Sequence, residues 1–229
     1  MTTAAPRTPK RGAGTRTSLV AAGRRLLSAR SADAVAIDDI VQSAQVSKGS
    51  FYTHFADKQA LIGEISREIR AGLEQAVAHA NADVADPARR VARGVCVHIR
   101  YAIQEPERAR VLLRLQHQQA SLTAPLNQGL VDDLSTGLAQ GRFRGVDLEA
   151  GMASVLGVAQ SALARAVERP SPNLATPLAQ QICTMLLRGL GVDGAEAEQL
   201  AAQAADAIVR NDPSDRRRLS SMLPNRISS

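Results

Sequence analysis

Residues 40–62 read IVQSAQVSKGSFYTHFADKQALI, from Ile40 to Ile62. With Ile37 just ahead of them, Ile40, Val41 and Ala44 space the inner face of a short helix. Asp38 and Asp39 stand in its first turn, where carboxylates suit the helix dipole. Gln45-Val46 is a tight joint. A further short helix runs from Ser47 or Lys48 to Phe55, with Phe51 and Phe55 four apart on its buried side. Asp57 then caps a long helix, in which Leu61, Ile65, Ile69, Leu73 and Ala76 continue one face. Upstream, Leu19, Ala22, Leu26 and Leu27 mark one helical face from Thr17, and Ser31-Ala-Asp33 breaks it. Three short amphipathic helices thus share one core, the second and third joined by a turn of a few residues. That is helix-turn-helix spacing.

The third helix is the reader in such a unit. Its outer face offers Ser47, Lys48, Ser50, Tyr52, Thr53 and His54, and no acidic residue lies between Gln42 and Ala56. A helix entering a major groove cannot carry uncompensated carboxylates against phosphate. Gly49 keeps that face thin for close approach, although tolerance of a turn explains a glycine equally well.

The rest of the chain is also helical in pattern, so the fold class is all-α. Asp86-Pro87 reads as a helix start. Residues 87–103 and 107–119 alternate apolar and basic residues at helical spacing, split by Glu105-Pro106. Residues 122–139, 148–168, 174–190 and 195–210 supply further helices, with Gly141 to Gly145 as a connection. The division is a flexible basic arm (1–16), a helix-turn-helix domain (17–62), a helical second domain (63–210) and a basic tail (211–229).

Charge follows the same division. The chain has 229 residues and a formal net charge of +6, but residues 1–60 alone hold nine basic and four acidic residues. Positive charge at the reader end suits phosphate. The aromatic fraction is 2%, which argues against surfaces that stack bases or sugars. Cys96 and Cys183 form no metal or redox spacing, and His54, His79, His98 and His117 are scattered. There is no HExxH, phosphate-binding Gly loop or nucleophile elbow, so neither enzyme activity nor a resident metal or cofactor is expected. No stretch reaches the roughly 18 apolar residues of a membrane helix, and no secretory signal opens the chain. A cytoplasmic protein with reduced thiols is the plain expectation.

Ile40, Val46, Ser47, Lys48, Gly49, Phe51, Tyr52, His54, Phe55, Lys58 and Leu61 together resemble the DNA-binding domain of TetR-family transcriptional regulators. The resemblance implies a homodimeric repressor on a palindromic double-stranded DNA operator, released by a small-molecule effector. It implies DNA contacts from Ser47, Lys48, Gly49, Ser50, Tyr52, Thr53, His54 and Lys58. Tyr52 and Lys58 suit phosphate, and Lys48 suits either guanine O6/N7 or phosphate. Arg7, Lys10, Arg11 and Arg16 suit the DNA backbone or a minor groove, or a free arm. An effector pocket is expected among Cys96, Ile99, Tyr101, Ile103, Leu112, Leu115, Leu122 and Leu126. The dimer surface is expected from Gly151, Leu156, Leu163, Leu178, Ile182, Met185 and Leu186. Three positions depart from the family pattern. Gln45 and Ser31 stand at usual glycines, and a left-handed turn at Gln45 costs about 1–2 kcal/mol. Val35 replaces a Thr that caps the second helix, leaving Ser31 or Asp33 to supply the cap. The alternative reading is an all-helical interaction module that uses the helix-turn-helix only for packing.

Overall fold

The computed structural model describes residues 11–115 and 127–210. The described residues are helices and their connections, as the periodicity requires. They are α1 (Arg11–Ala29), α2 (Ile37–Ala44), α3 (Lys48–His54), α4 (Lys58–Ala80) and α5 (Pro87–Gln104). They continue with α6 (Pro106–Leu115), α7 (Gln128–Ala139), α8 (Leu148–Glu168), α9 (Pro172–Gly189) and α10 (Gly194–Ala205), which runs into a π-helical turn at Asp206–Arg210.

Side-chain caps set half of the helix starts. Ser47 Oγ accepts from the Ser50 amide at 3.1 Å, and Asp57 Oδ1 from the Ala60 amide at 2.7 Å. Asp86, Asp147 and Asp193 do the same for α5, α8 and α10. Each such cap contributes about 1 kcal/mol. α2 is different. Its N-cap is Ala36, whose methyl group cannot accept a hydrogen bond, and neither Ser31 nor Asp33 takes its place. Asp39 instead reaches back to the Ala36 amide at 3.1 Å, half of a capping box. Val35 is not at the cap at all. It is 1% exposed and fills the core beneath α2, which is why an apolar residue stands there.

α1 begins at Arg11 rather than Thr17, so the arm is shorter than its composition suggests. Gly12 and Gly14 are poor helix formers, and local propensity gives no sign of this turn. Tertiary contacts hold it: Arg16 pairs with Glu64 and lies 5.5 Å over the Phe55 ring.

α1, α2 and α3 pack around Phe51, Leu19, Leu27 and Ile40, all almost completely inaccessible. α4 joins this unit to the second half, where α5 is the central helix. α5 packs on α4, α6, α7, α8, α9 and α10. Its start is stapled to the start of α10 by Arg142, which donates to both carboxylate oxygens of Asp86 (2.7 and 3.2 Å) and to Glu196 (2.7 Å). Arg142 comes from the connection at 141–145, whose Gly141 (φ 66°) and Gly145 (φ 74°) take left-handed conformations. The connection docks on the α9–α10 turn: Arg144 N–H donates to Leu190 O at 2.9 Å. A Cβ on Gly191 (φ 83°) would lie 2.4 Å from Arg144 O, so only glycine fits there.

One expectation on apolar length is corrected. α8 carries an 18-residue window of mean hydropathy 1.2, enough by length and composition for a membrane span. Only 39% of that window is buried. Its outward side is not lipid-like but small: Ala150, Ser154, Gly157 and Ser161, at steps of four, three and four, are all exposed.

Candidate nucleic-acid interface and ligand cavity

α3 presents two unlike faces. Phe51 is fully buried and Phe55 nearly so, which makes both of them core. Tyr52, on the other side, is 52% exposed, its ring edge-on to Phe51 with centroids 5.4 Å apart. Ser47, Lys48, Gly49 and Thr53 are exposed with it, while Ser50 and His54 are half-buried. Ser47 and Ser50 share a hydroxyl hydrogen bond of 2.9 Å, and Thr53 Oγ1 donates to Gly49 O at 3.1 Å. A Cβ on Gly49 would meet only Ser47 Oγ, at 3.8 Å. Internal packing therefore does not require this glycine.

Two lysines expected to contact DNA have partners within the chain. Lys58 Nζ donates to Ala32 O at 2.9 Å and Val35 O at 3.0 Å. Its charge ties the α1–α2 connection to the start of α4, so it is a clamp within the domain. Lys48 pairs with Asp38 at 2.8 Å. The hydrogen bond to Asp38, and then that carboxylate's charge, raise the Lys48 ammonium above its usual pKa. The reader stretch lacks acids of its own, yet α2 places one beside it.

The arginines of α1 are also engaged. Arg24 bonds Glu107 of α6 at 2.8 Å and lies 3.7 Å from Glu68 of α4. Arg25 reaches Ser43, and Arg30 pairs with Asp39 at 3.3 Å. Arg16, expected on DNA or in a free arm, is held by Glu64 and Phe55. Arg7 and Lys10 lie outside the described residues, as does the side chain of Arg11.

A cavity of about 710 Å³, counting its opening to solvent, lies between α4, α5, α7 and α8. Its apolar walls include Val77, Val91, Val95, Leu130, Val155 and Ala159. Its polar wall is formed by Glu74, Asn81, Arg90, His98 and Asp133, with Asn127. Burial pushes the Glu74 carboxyl up, against the pull of Arg70. Burial also raises Asp133, outweighing its bond to Arg90 Nε at 2.5 Å. His98 is pushed down by burial and further by the Arg70 charge, against the raising effect of its bond to Gly94 O.

None of the described residues expected to line an effector pocket lines this cavity. Cys96, Ile99, Tyr101 and Leu115 are buried, and Ile103 and Leu112 half-buried, in the packed core. Cys96 Sγ meets Cys183 Sγ of α9 at 3.8 Å. That thiol contact, with burial, raises the Cys96 pKa well above its ordinary value. Leu122 and Leu126 lie outside the described residues, as does His117. α5 is apolar on two sides, and the cavity takes the side with Val91, Gly94, Val95 and His98. The signal was present: a glycine and a histidine at steps of three and four on an otherwise apolar stripe.

The residues expected at a dimer surface also divide. Gly151, Leu163 and Leu186 belong to the core of the single chain, and Leu156 to the cavity wall. Met185 is 73% exposed, with Leu178 and Ile182 half-buried beside it. Leu174, 61% exposed, extends the same stripe one turn toward the start of α9 and escaped the sequence reading.

Residues 19–65 match the family model described as bacterial regulatory proteins, tetR family. Residues 86–203 match the model of the tetracyclin repressor-like C-terminal domain. The HTH-type transcriptional repressor DhaR of Mycobacterium sp. (strain GP1) is 33% identical over 72 residues, 31% of this chain and 36% of DhaR. The match thus spans about a third of that relative's length. Among solved structures, RolR with its ligand resorcinol superposes with a TM-score of 0.57 at 24% identity, over 83% of this chain and 94% of RolR. A gamma-butyrolactone receptor described as ArpA-like superposes at 0.61 and 20% identity, over 86% of this chain and all of the receptor. At those identities the likeness speaks for the fold. The two family models together cover both halves of the molecule, and the chain belongs to the tetR family of bacterial regulatory proteins.

Proposed function

We propose that this chain is a cytoplasmic, homodimeric repressor that reads a palindromic operator with α3 and is released from it by a small molecule bound between α4, α5, α7 and α8. One observation carries the reading. The inner face of α3 is locked into the core by Phe51, while Tyr52, Thr53 and Gly49 are exposed and internal packing does not require the glycine. Tyr52 offers its hydroxyl to phosphate, and the Ser47 end of α3 faces the same side. Lys48 exchanges Asp38 for a phosphate or a guanine edge on binding. Lys58 acts indirectly, by holding the connection beneath α2 in place.

A single reader spans only a few base pairs, so two copies are needed. The small stripe on α8 and the apolar stripe Leu174, Leu178, Ile182 and Met185 on α9 suit a close helical contact with a second copy. DhaR is named as a repressor, and RolR and the gamma-butyrolactone receptor are named with small ligands; all three support the reading. α4 provides the coupling. Its 23 residues reach about 35 Å, with α1 of the helix-turn-helix unit packed on it and Glu74 and Val77 of the cavity near its end. The Arg24–Glu107 bond gives a second route, from α6 to α1. A ligand that prefers a displaced α4 therefore disfavours the DNA-bound spacing of the readers.

Selection of duplexes from a random DNA library with the purified protein tests this. The expected product is a palindrome whose half-sites lie about 34–36 Å apart, or a multiple of that. A folded dimer that enriches no motif at low salt would leave an interaction module as the better description.

A further inference from the structure

The cavity has a definite hydrogen-bonding character, and the inference drawn from it rests on the reading of this cavity as the effector site. Among its described lining residues Arg90 is the one Lys or Arg. Its guanidinium is committed: Nε to Asp133 at 2.5 Å, Nη1 to Asn81 O at 2.9 Å and Val84 O at 3.1 Å. Asn81 Nδ2 donates to Arg90 O at 3.1 Å, and Asn81 Oδ1 is left buried with no partner. An unpaired buried acceptor is costly, so it favours whatever brings it a donor.

His98 adds a second acceptor. Its Nδ1 lies 2.8 Å from Gly94 O. A carbonyl only accepts, so Nδ1 carries the proton. Burial and the Arg70 charge favour the neutral ring, and Nε2 then keeps its lone pair. Glu74 adds two carboxyl oxygens on the α4 side. The polar wall thus offers mainly acceptors, since Nε and Nη1 of Arg90 and Nδ2 of Asn81 are already bonded within the protein. Its acids, Glu74 and Asp133, outnumber its one arginine. An anion entering here would meet two carboxyl groups and no free cation among these residues. A cation would find Asp133 already held by Arg90 and Glu74 favoured in its neutral form by burial, with no Phe, Tyr or Trp among the described lining residues to receive it.

We propose that this cavity takes a small, neutral, mostly apolar molecule that carries hydroxyl groups, and that it rejects carboxylates and phosphates. The apolar body lies against Val91, Val95, Leu130 and Val155, and the hydroxyl protons go to Asn81 Oδ1, His98 Nε2 or Glu74.

Calorimetric titration of the full-length protein with a matched series tests the proposal. The series is resorcinol and catechol, 1,3-dimethoxybenzene with the donors removed, 3-hydroxybenzoate with a carboxylate added, and 3-hydroxybenzylamine as the cation. At least one diphenol should bind tenfold or more tighter than the ether, the anion and the cation. Glu74→Gln should raise affinity for the anion several-fold. Ala159→Trp and Gly94→Leu fill the cavity from α8 and α5, and each should abolish binding while thermal melting shows the variant folded. An ether, anion or cation that binds as tightly as the diphenols, and is lost in the filled variants, overturns the ligand class while the cavity reading stands. Diphenol binding that survives in the filled variants overturns the cavity reading itself. No diphenol binding at millimolar concentration overturns the class. Operator selection is read without ligand, so its result stays separate from all of these.

Discussion

α3 and α5 are both amphipathic helices, yet they stand in opposite surroundings. α3 packs on α1 and α2 with one face, and its other face is open. α5 packs on helices all round: Cys96 faces α9, while Val91 and His98 face the cavity. On α3, apolar spacing alone separates the structural side from the working side. On α5, both sides are apolar, and spacing shows that a residue is covered without showing whether protein or empty space covers it. The difference teaches that a periodic stripe locates function only where the opposite stripe is polar.

The largest effects should come from breaking the inner side of α3. Phe51→Ala removes a fully buried ring and should cost about 3–5 kcal/mol in urea unfolding, with loss of DNA binding. Tyr52→Ala, one residue away, should change stability by less than about 0.5 kcal/mol. It should still weaken binding to every duplex. Equal stability losses for the two would show that α3 does not have the two faces described.

The two sides of α5 are separated by a second pair. Gly94→Leu enters the cavity and should reduce effector affinity at least about tenfold, roughly 1.4 kcal/mol. Cys96→Ala lies on the other side, against Cys183. It should lower stability by about 1 kcal/mol and leave the effector response within about twofold. Operator release assayed by fluorescence anisotropy reads both. A stronger loss of response in Cys96→Ala than in Gly94→Leu would move the site to the α5–α9 side.

The reader side is sharpened by Asp38. Its carboxylate holds Lys48 at 2.8 Å and opposes phosphate. Asp38→Asn should free Lys48, raise affinity for random duplex a few-fold, and steepen the salt dependence by about one counterion. An unchanged salt slope would mean that Lys48 remains off the DNA even when unpaired.

Legibility follows the same contrast. The three-helix unit was readable because its determinants are local: Phe51 and Phe55 one turn apart, the Ser47 and Asp57 caps, and an aspartate-rich first turn on α2. What escaped involves distant partners. Lys58 is a clamp because the carbonyls of Ala32 and Val35 lie within its reach, which the motif does not encode. The first turns of α1 exist because Glu64 and Phe55 wait for Arg16. Gly151, Leu163 and Leu186 face their own chain because α8 and α9 pack on α5 and on each other. Small and apolar residues suit either an intrachain or an interchain contact, so sequence could not divide them.

The smallest effect concerns the joint between α2 and α3. Gln45 is the one non-glycine residue with positive φ among the described residues, at φ 56° and ψ 43°. The turn has therefore not been reshaped to suit it. The Gln45 amide donates to Gln42 O, and the Val46 amide to Val41 O at 3.0 Å, which closes α2 in the manner of a helix-ending glycine. A side chain in this conformation costs about 1–2 kcal/mol, and glycine returns part of that through its larger unfolded-state entropy, about 0.5–1 kcal/mol. Gln45→Gly should thus stabilise the protein by about 0.5–1 kcal/mol in urea unfolding, with operator affinity unchanged or higher. Gln45 is exposed, so no packing is lost. A fall in operator affinity with stability gained would show that the Gln45 side chain itself works at the DNA surface. The open side of the reader unit would then extend from α3 back into the turn.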